Sequence, residues 1–161
     1  HVVHQAGADA GLTRQQVSNA LDQGIMLFNF IGHGAVTQLG SEAFWAMPDI
    51  GGMTNSDRLP IFAAFSCYAG NGTFPGYNSI TEEMTLLGSG GVIAAVAPTG
   101  LSINDRAVVL NKAFIEALLD GGLTLGEATQ SAIESLRQQG GPQFIQEIYN
   151  VIGDPAVAVH Q

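Results

Sequence analysis

A chain of 161 residues, 46% hydrophobic and 12% charged, is one domain's worth of globular sequence, which argues against disorder and against several packed domains. Fourteen acidic residues against five basic ones give a net charge of −9 with no basic cluster, so nucleic acid and anionic lipid are disfavoured as partners. The longest apolar runs, 25–31 and 92–98, are too short to cross a bilayer as helices. The single Cys leaves no internal disulfide and no zinc-ligand spacing.

The opening HVVHQAGADAG has no basic stretch followed by an apolar core, so no signal peptide is read there. Thr13 begins TRQQ, a Thr-x-x-Gln capping box, and Val17, Ala20 and Leu21 then fall on one face of a short helix stopping at Gly24. IMLFNFI follows, apolar on both faces except for Asn29, and predicts a fully buried parallel strand. Residues 35–58 carry Gly40, Pro48, Gly51, Gly52 and Asn55 and predict an irregular loop with a short helix around SEAFWAM. LPIFAAFS predicts a second buried strand, with Pro60 tolerated at its start.

Ser79 opens a second capping box, SITE, for a helix to about Leu87. GGVIAAVAP is a third buried strand closed by Pro98. Ile103, Ala107, Leu110, Phe114, Ala117 and Leu118 make a helical stripe ending at Gly121, with Ser102 as its N-cap. TLGE at Thr124 caps a helix to about Gln139, and the tail QEIYNVIGDPAVAVH predicts a short helix, a strand, a Gly-Asp-Pro turn and a last extended piece. Strands alternating with helices mean an α/β domain with a largely parallel sheet. Three or four strands make a thin sheet, so the expectation is a partial domain over 1–161 lacking N-terminal strands, cut from or paired with another piece of a larger precursor.

Ligands of an open parallel sheet bind beyond the carboxyl ends of its strands. His33 follows the first strand and Cys67 ends the second, so both reach the same rim if the strands are neighbours, about 4.8 Å apart. A lone Cys is in general a buried small hydrophobe, and a lone His a locally bonded loop residue. Matched at two strand ends they make an activated nucleophile: the thiolate attacks a carbonyl carbon and the imidazole protonates the leaving amine. The glycine after His33 lets backbone approach a substrate, so the Gly34 and Cys67 N–H groups are candidate oxyanion donors.

FNFIGHG, followed 34 residues after His33 (67 − 33) by the Cys of PIFAAFSC, resembles the gingipain-like cysteine peptidases, peptidase family C25, which share the caspase-like fold of clan CD. MTNSDRLP, SITEEM, GGVIAAVAPT and VIGDPAV extend the resemblance over nearly the whole chain from about Gly24. It implies a caspase-like three-layer sandwich and a cysteine endopeptidase with a His33–Cys67 dyad, a thioester acyl-enzyme and peptide or protein substrates. It also implies action outside the cell or at its surface. No cofactor is implied beyond a structural calcium that the sequence does not locate. Two departures concern pocket shape: Trp45 comes later after His-Gly than is usual, and Ser66 stands where Ala, Asn or Gly is common.

Ser66, Tyr68, Thr99 and Ser102 are candidate substrate contacts because they flank the same rim, as does Asn104. Trp45 is either a pocket wall or a core residue. Asp49, Asp57, Glu82, Glu83 and Asp105 point weakly to basic substrates and more readily to a solvated acidic surface. Asp154 is read as a turn residue, and His1, His4 and His160 as surface residues. FSCYAG lacks the first glycine of a Gly-x-Ser-x-Gly elbow, which sets aside a serine hydrolase. The alternatives to a peptidase acting alone are a non-catalytic caspase-like scaffold and a peptidase working inside a regulatory complex.

Overall fold

Residues 9–159 are described in the computed structural model of the chain, and its first helix starts a turn earlier than the Thr13 box suggests. Helix α1 spans Ala10–Gln23 with Asp9 as N-cap, whose carboxylate accepts the Leu12 N–H at 2.9 Å. Thr13 lies inside the first turn and donates its hydroxyl to the Asp9 carbonyl at 3.1 Å. Asp9 is the better-placed acceptor, so it starts the helix and Thr13 bonds back. The stop at Gly24 is as expected: the residue has φ +83°, and a Cβ there would meet the Arg58 side chain at 2.6 Å.

Strand β1 (Leu27–Ile31) leads into three two-residue strands, β2 (Gly34–Ala35), β3 (Gln38–Leu39) and β4 (Trp45–Ala46), which form their own antiparallel sheet. This sheet and helix α2 (Met47–Ile50) occupy the region predicted to be irregular. The helix expected around SEAFWAM is displaced, because Gly40 and Ala43 both take positive φ and turn the chain so that Trp45 becomes a strand residue. Trp45 is fully buried and meets Phe28 edge-on at 6.5 Å, which makes it core.

The remaining elements are β5 (Ile61–Phe65), α3 (Ile80–Leu86), β6 (Ala94–Pro98), α4 (Asn104–Ile115) with a π-helical turn (Glu116–Asp120), α5 (Leu125–Gln138), α6 (Gln143–Ile148) and β7 (Tyr149–Gly153). The main sheet runs β1-β5-β6-β7, parallel except for β7 against β6. Side chains alternate across it. Phe28, Phe62, Ala64, Ala95 and Ala97 pack under α1 and α3, whereas Ile61, Ala63, Phe65, Ala94 and Val96 pack under α4, α5 and α6. Helices on both faces of a largely parallel sheet make the three layers that the alternation of elements predicts.

The boxes at Ser79 and Thr124 form as expected, each hydroxyl accepting the N–H of the glutamate three residues on. Ser102 does not cap α4: its N-cap is Ile103, with no side-chain bond, because the Ser102 hydroxyl is engaged elsewhere. Strands β5 and β6 are buried throughout, but β1 is not. Among the described residues it is the outer strand of the main sheet, and Asn29 and Ile31 are exposed on it. Asn111 of α4 reaches across, its side-chain amide donating to the side-chain oxygen of Asn29 at 2.6 Å.

The MTN block has a structural role. Asn55 is fully buried, donates to the carbonyls of Arg58 and Gly91 at 3.2 and 3.0 Å, and accepts the Gly91 N–H at 2.9 Å. It ties the segment before β5 to the one before β6. His1, His4, the initial HVV and His160 lie outside the described residues. No described helix is long and apolar enough to cross a membrane.

Candidate active site

The carboxyl ends of β1 and β5 lie side by side, Ile31 opposite Phe65, and one further bond from the Gly32 N–H to the Phe65 carbonyl at 3.4 Å carries the pairing past the strand ends. There the HG of one segment meets the SC of the other. A Cβ on Gly34 would stand 2.8 Å from the Ser66 hydroxyl, 2.9 Å from its Cβ and 3.2 Å from the Cys67 carbonyl oxygen. Only glycine allows that approach. The Gly40 N–H bonds the His33 carbonyl at 2.8 Å, which closes the β2–β3 hairpin and fixes the backbone of the His.

The Cys67 side is held more firmly. After Cys67, Tyr68 takes φ +57°, a left-handed conformation unusual for an aromatic residue. Its N–H bonds the Gly100 carbonyl at 3.0 Å, the Gly70 N–H bonds Pro98 at 2.9 Å, and the buried Thr81 hydroxyl of α3 bonds the Ala69 carbonyl at 2.7 Å. These bonds staple the loop to the end of β6 and the start of α3, and they hold the strained residue in place.

Cys67 is half-buried and free of any disulfide. Its sulfur accepts the Ser102 N–H at 3.4 Å, and its S–H faces the Ser102 carbonyl at 3.6 Å. Among the described residues the Cys67 N–H has no acceptor. His33 is exposed, and its imidazole has no hydrogen-bond partner among the described residues, Cys67 included.

Ser66 is 2% exposed, with its hydroxyl beneath Gly34 and without a partner. It lies buried under the His-Gly turn. Thr99 is half-buried, and both its N–H and its hydroxyl bond the Ile148 carbonyl, at 2.8 and 3.1 Å. Tyr68 is half-buried at the rim.

Tyr149 carries no local signal in the sequence that marks it as a site residue. Antiparallel pairing sets it opposite Pro98 at the rim, where it stacks on Phe65 with ring centroids 5.4 Å apart. Its hydroxyl is 2.8 Å from that of Ser102. Burial pushes its pKa up to about 12; the Ser102 hydrogen bond works against this shift, and the neighbouring Cys67 adds to it.

Most acids around the rim are engaged locally. Asp49 pairs with Arg14 at 3.0 Å and caps Ala46, Glu82 closes its capping box, Glu83 accepts from Asn78 at 3.0 Å, and Asp105 lies 3.7 Å from Arg106. Asp154 accepts the Ala156 N–H at 2.8 Å in a turn, as expected. No group of three or more His, Cys, Asp or Glu among the described residues is disposed to hold a metal ion.

A helix-covered, largely parallel sheet presenting a His and a Cys at the carboxyl ends of adjacent strands is a caspase-like α/β domain. The sequence profile of peptidase family C25 matches residues 2–160, and the chain belongs to that family. The crystal structure of the Arg-specific cysteine proteinase gingipain R (RgpB) superposes with a TM-score of 0.83 at 21% identity, covering 91% of this chain and 36% of that one. The complex of Porphyromonas gingivalis RgpB pro- and mature domains gives 0.81 at 22%, covering 91% and 37%. A further structure, described as a protease, gives 0.79 at 15%, covering 86% and 36%. This chain therefore spans about a third of the length of these structures, and the likeness is one of fold. No curated protein sequence is significantly similar to it.

Proposed function

We propose that the chain carries the catalytic centre of a cysteine endopeptidase, with Cys67 as nucleophile and His33 as acid and base. The observation that carries this reading is the contact of Gly34 with Ser66 and Cys67, which brings the two chain segments together at one rim. Family membership supports it, and so does the unbonded Cys67 N–H, a ready oxyanion donor beside that of Gly34.

In the proposed reaction His33 takes the thiol proton and the sulfur forms a bond to the peptide carbonyl carbon, whose oxygen becomes the oxyanion. Collapse breaks the C–N bond, and the imidazolium protonates the departing amine, leaving a thioester on Cys67. Water, deprotonated by His33, then attacks the thioester carbon, the C–S bond breaks, and the released acid leaves the thiol restored. Tyr68 is the rim residue best disposed to touch substrate. The outer edge of β1 suits a partner strand, and an N-terminal segment of the same precursor is the proposed occupant. Action outside the cell or at its surface belongs to the same reading, and finding the protein in the medium or accessible on intact cells tests it.

The experiment is peptide cleavage by the full-length protein, together with mass spectrometry of iodoacetamide-labelled Cys67, in wild type, Cys67→Ala and His33→Ala. Cleavage abolished in both variants, with labelling slowed by His33→Ala, is the expected result. A folded protein in which Cys67 reacts slowly and independently of His33 overturns the proposal. The missing imidazole–thiol hydrogen bond favours one second reading, a caspase-like binding scaffold, and that outcome would support it.

A further inference from the structure

We infer that Tyr149 and Ser102 are a positioning pair for Cys67: the Tyr149 hydroxyl anchors Ser102 so that the Ser102 N–H is held on the Cys67 sulfur, where it favours the thiolate. The inference rests on the reading of Cys67 as nucleophile and adds two residues through which that thiol is prepared.

The Ser102 backbone offers the sulfur opposite choices. Its carbonyl, at 3.6 Å, accepts from the S–H and favours the protonated thiol. Its N–H, nearer at 3.4 Å, donates to the sulfur and favours the charged form. Which one prevails depends on how this stretch of backbone sits, a loop between β6 and α4 that carries exposed Leu101 and Ile103 on either side of Ser102. With α4 lacking a side-chain cap, no helix bond holds Ser102. Its side chain is held by the 2.8 Å bond to Tyr149, and Tyr149 is itself fixed by the stack on Phe65, the last residue of β5 and two before Cys67.

The anchor stays neutral over the working range, since burial keeps the phenol protonated to about pH 12. The other titratable groups on the elements around the sulfur are His33 beyond β1, Tyr68 next in the chain, Glu82 and Glu83 of α3, and Asp105, Arg106 and Lys112 of α4. Apart from His33 and Tyr68 these are paired with neighbours of their own.

The test compares wild type, Tyr149→Phe, Ser102→Ala and His33→Ala in the full-length protein, reading the rate of Cys67 alkylation by iodoacetamide against pH. Tyr149→Phe keeps the ring stack and removes only the hydroxyl. The expected result is a neutral-pH rate lower by about three- to ten-fold, the scale of a weakened hydrogen bond to a charged acceptor, with the alkaline plateau not lowered. Ser102→Ala shifts the profile the same way. A merely structural role would lower the melting temperature and leave the profile in place. If His33→Ala slows alkylation but both Tyr149→Phe and Ser102→Ala leave it unchanged, or either speeds it, this inference fails and the peptidase reading stands. If His33→Ala also has no effect, both fall.

Discussion

Replacing Gly34 by Ala tests the contact on which the site is built. The added methyl would sit 2.8 Å from the Ser66 hydroxyl and 2.9 Å from its Cβ, inside the distance that real Cβ atoms keep, and neither atom can retreat because Ser66 is 2% exposed at the end of a buried strand. Such overpacking costs about 1–3 kcal/mol, and the relief available is to lift the His-Gly turn away from Cys67. Gly34→Ala is therefore expected to lose cleavage out of proportion to its stability. Ser66→Gly alone costs about 0.5–1 kcal/mol, and in the double variant the methyl's remaining close neighbour is the Cys67 carbonyl oxygen at 3.2 Å. The double variant should then be about as stable as Ser66→Gly itself, a coupling of about 1–3 kcal/mol in its favour. The assay is a double-mutant cycle of urea midpoints at unchanged m-value in the full-length protein. An unshifted midpoint for Gly34→Ala, or strict additivity in the double variant, would refute the reasoning.

Asn55→Ala leaves the buried Gly91 N–H and carbonyl unpaired, and thermal melts should show a loss of about 2–4 kcal/mol; a loss under half of that would mean the clamp is dispensable. Ser66→Ala removes a buried hydroxyl that has no partner, so the melt should be unchanged or raised by up to about 1 kcal/mol, and a clear loss would point to a bond the hydroxyl makes. Burial raises the Tyr149 pKa from 10.0 to about 12, so the folded state holds its proton where the unfolded state has released it. That contribution is complete below pH 10 and is lost as pH rises towards 12, on the order of 1–3 kcal/mol; Tyr149→Phe should flatten the decline in urea titrations over that window. Hydrogen exchange should find β1 amides opening faster than those of β5 and β6, since β1 is paired on one side and covered only in part. Equal protection would contradict its place at the edge.

Patterns local to the chain carried the helix ends at Gly24, Ser79 and Thr124 and the two buried strands ending at Phe65 and Pro98, because a cap or an apolar run acts through its own neighbours. The rim positions of His33 and Cys67 follow from the same runs. What failed depended on partners distant in sequence. Trp45 looked like part of a short helix until the turns at Gly40 and Ala43 set it in a strand against Phe28. The apolar IMLFNFI reads as a fully buried strand, yet Asn29, its one polar residue, marks the thinly covered face. Ser102 looked like a cap because its partner, Tyr149, is 47 residues away and reaches it only through the antiparallel return of β7.

The two halves of the candidate site are built to different standards, and this bears on how the site is completed. Cys67 follows a strand buried on both faces and paired on both edges, and its loop is stapled to the end of β6 and to α3 by four hydrogen bonds, two of them from Thr81 to the Ala69 carbonyl. Among the described residues, His33 follows a strand paired along one edge, with Asn29 and Ile31 exposed, and its imidazole is unbonded. Cooperative units with few buried contacts open most easily, so the His33 side is the softer one. A strand added to the outer edge of β1 would bond its backbone and cover Asn29 and Ile31. It would stiffen the approach to His33 without touching Cys67 or its anchors. Pairing at that edge therefore acts on the geometry between imidazole and thiol, while Tyr149 and Ser102 act on the thiol alone, and the two effects should be separable in the alkylation profile.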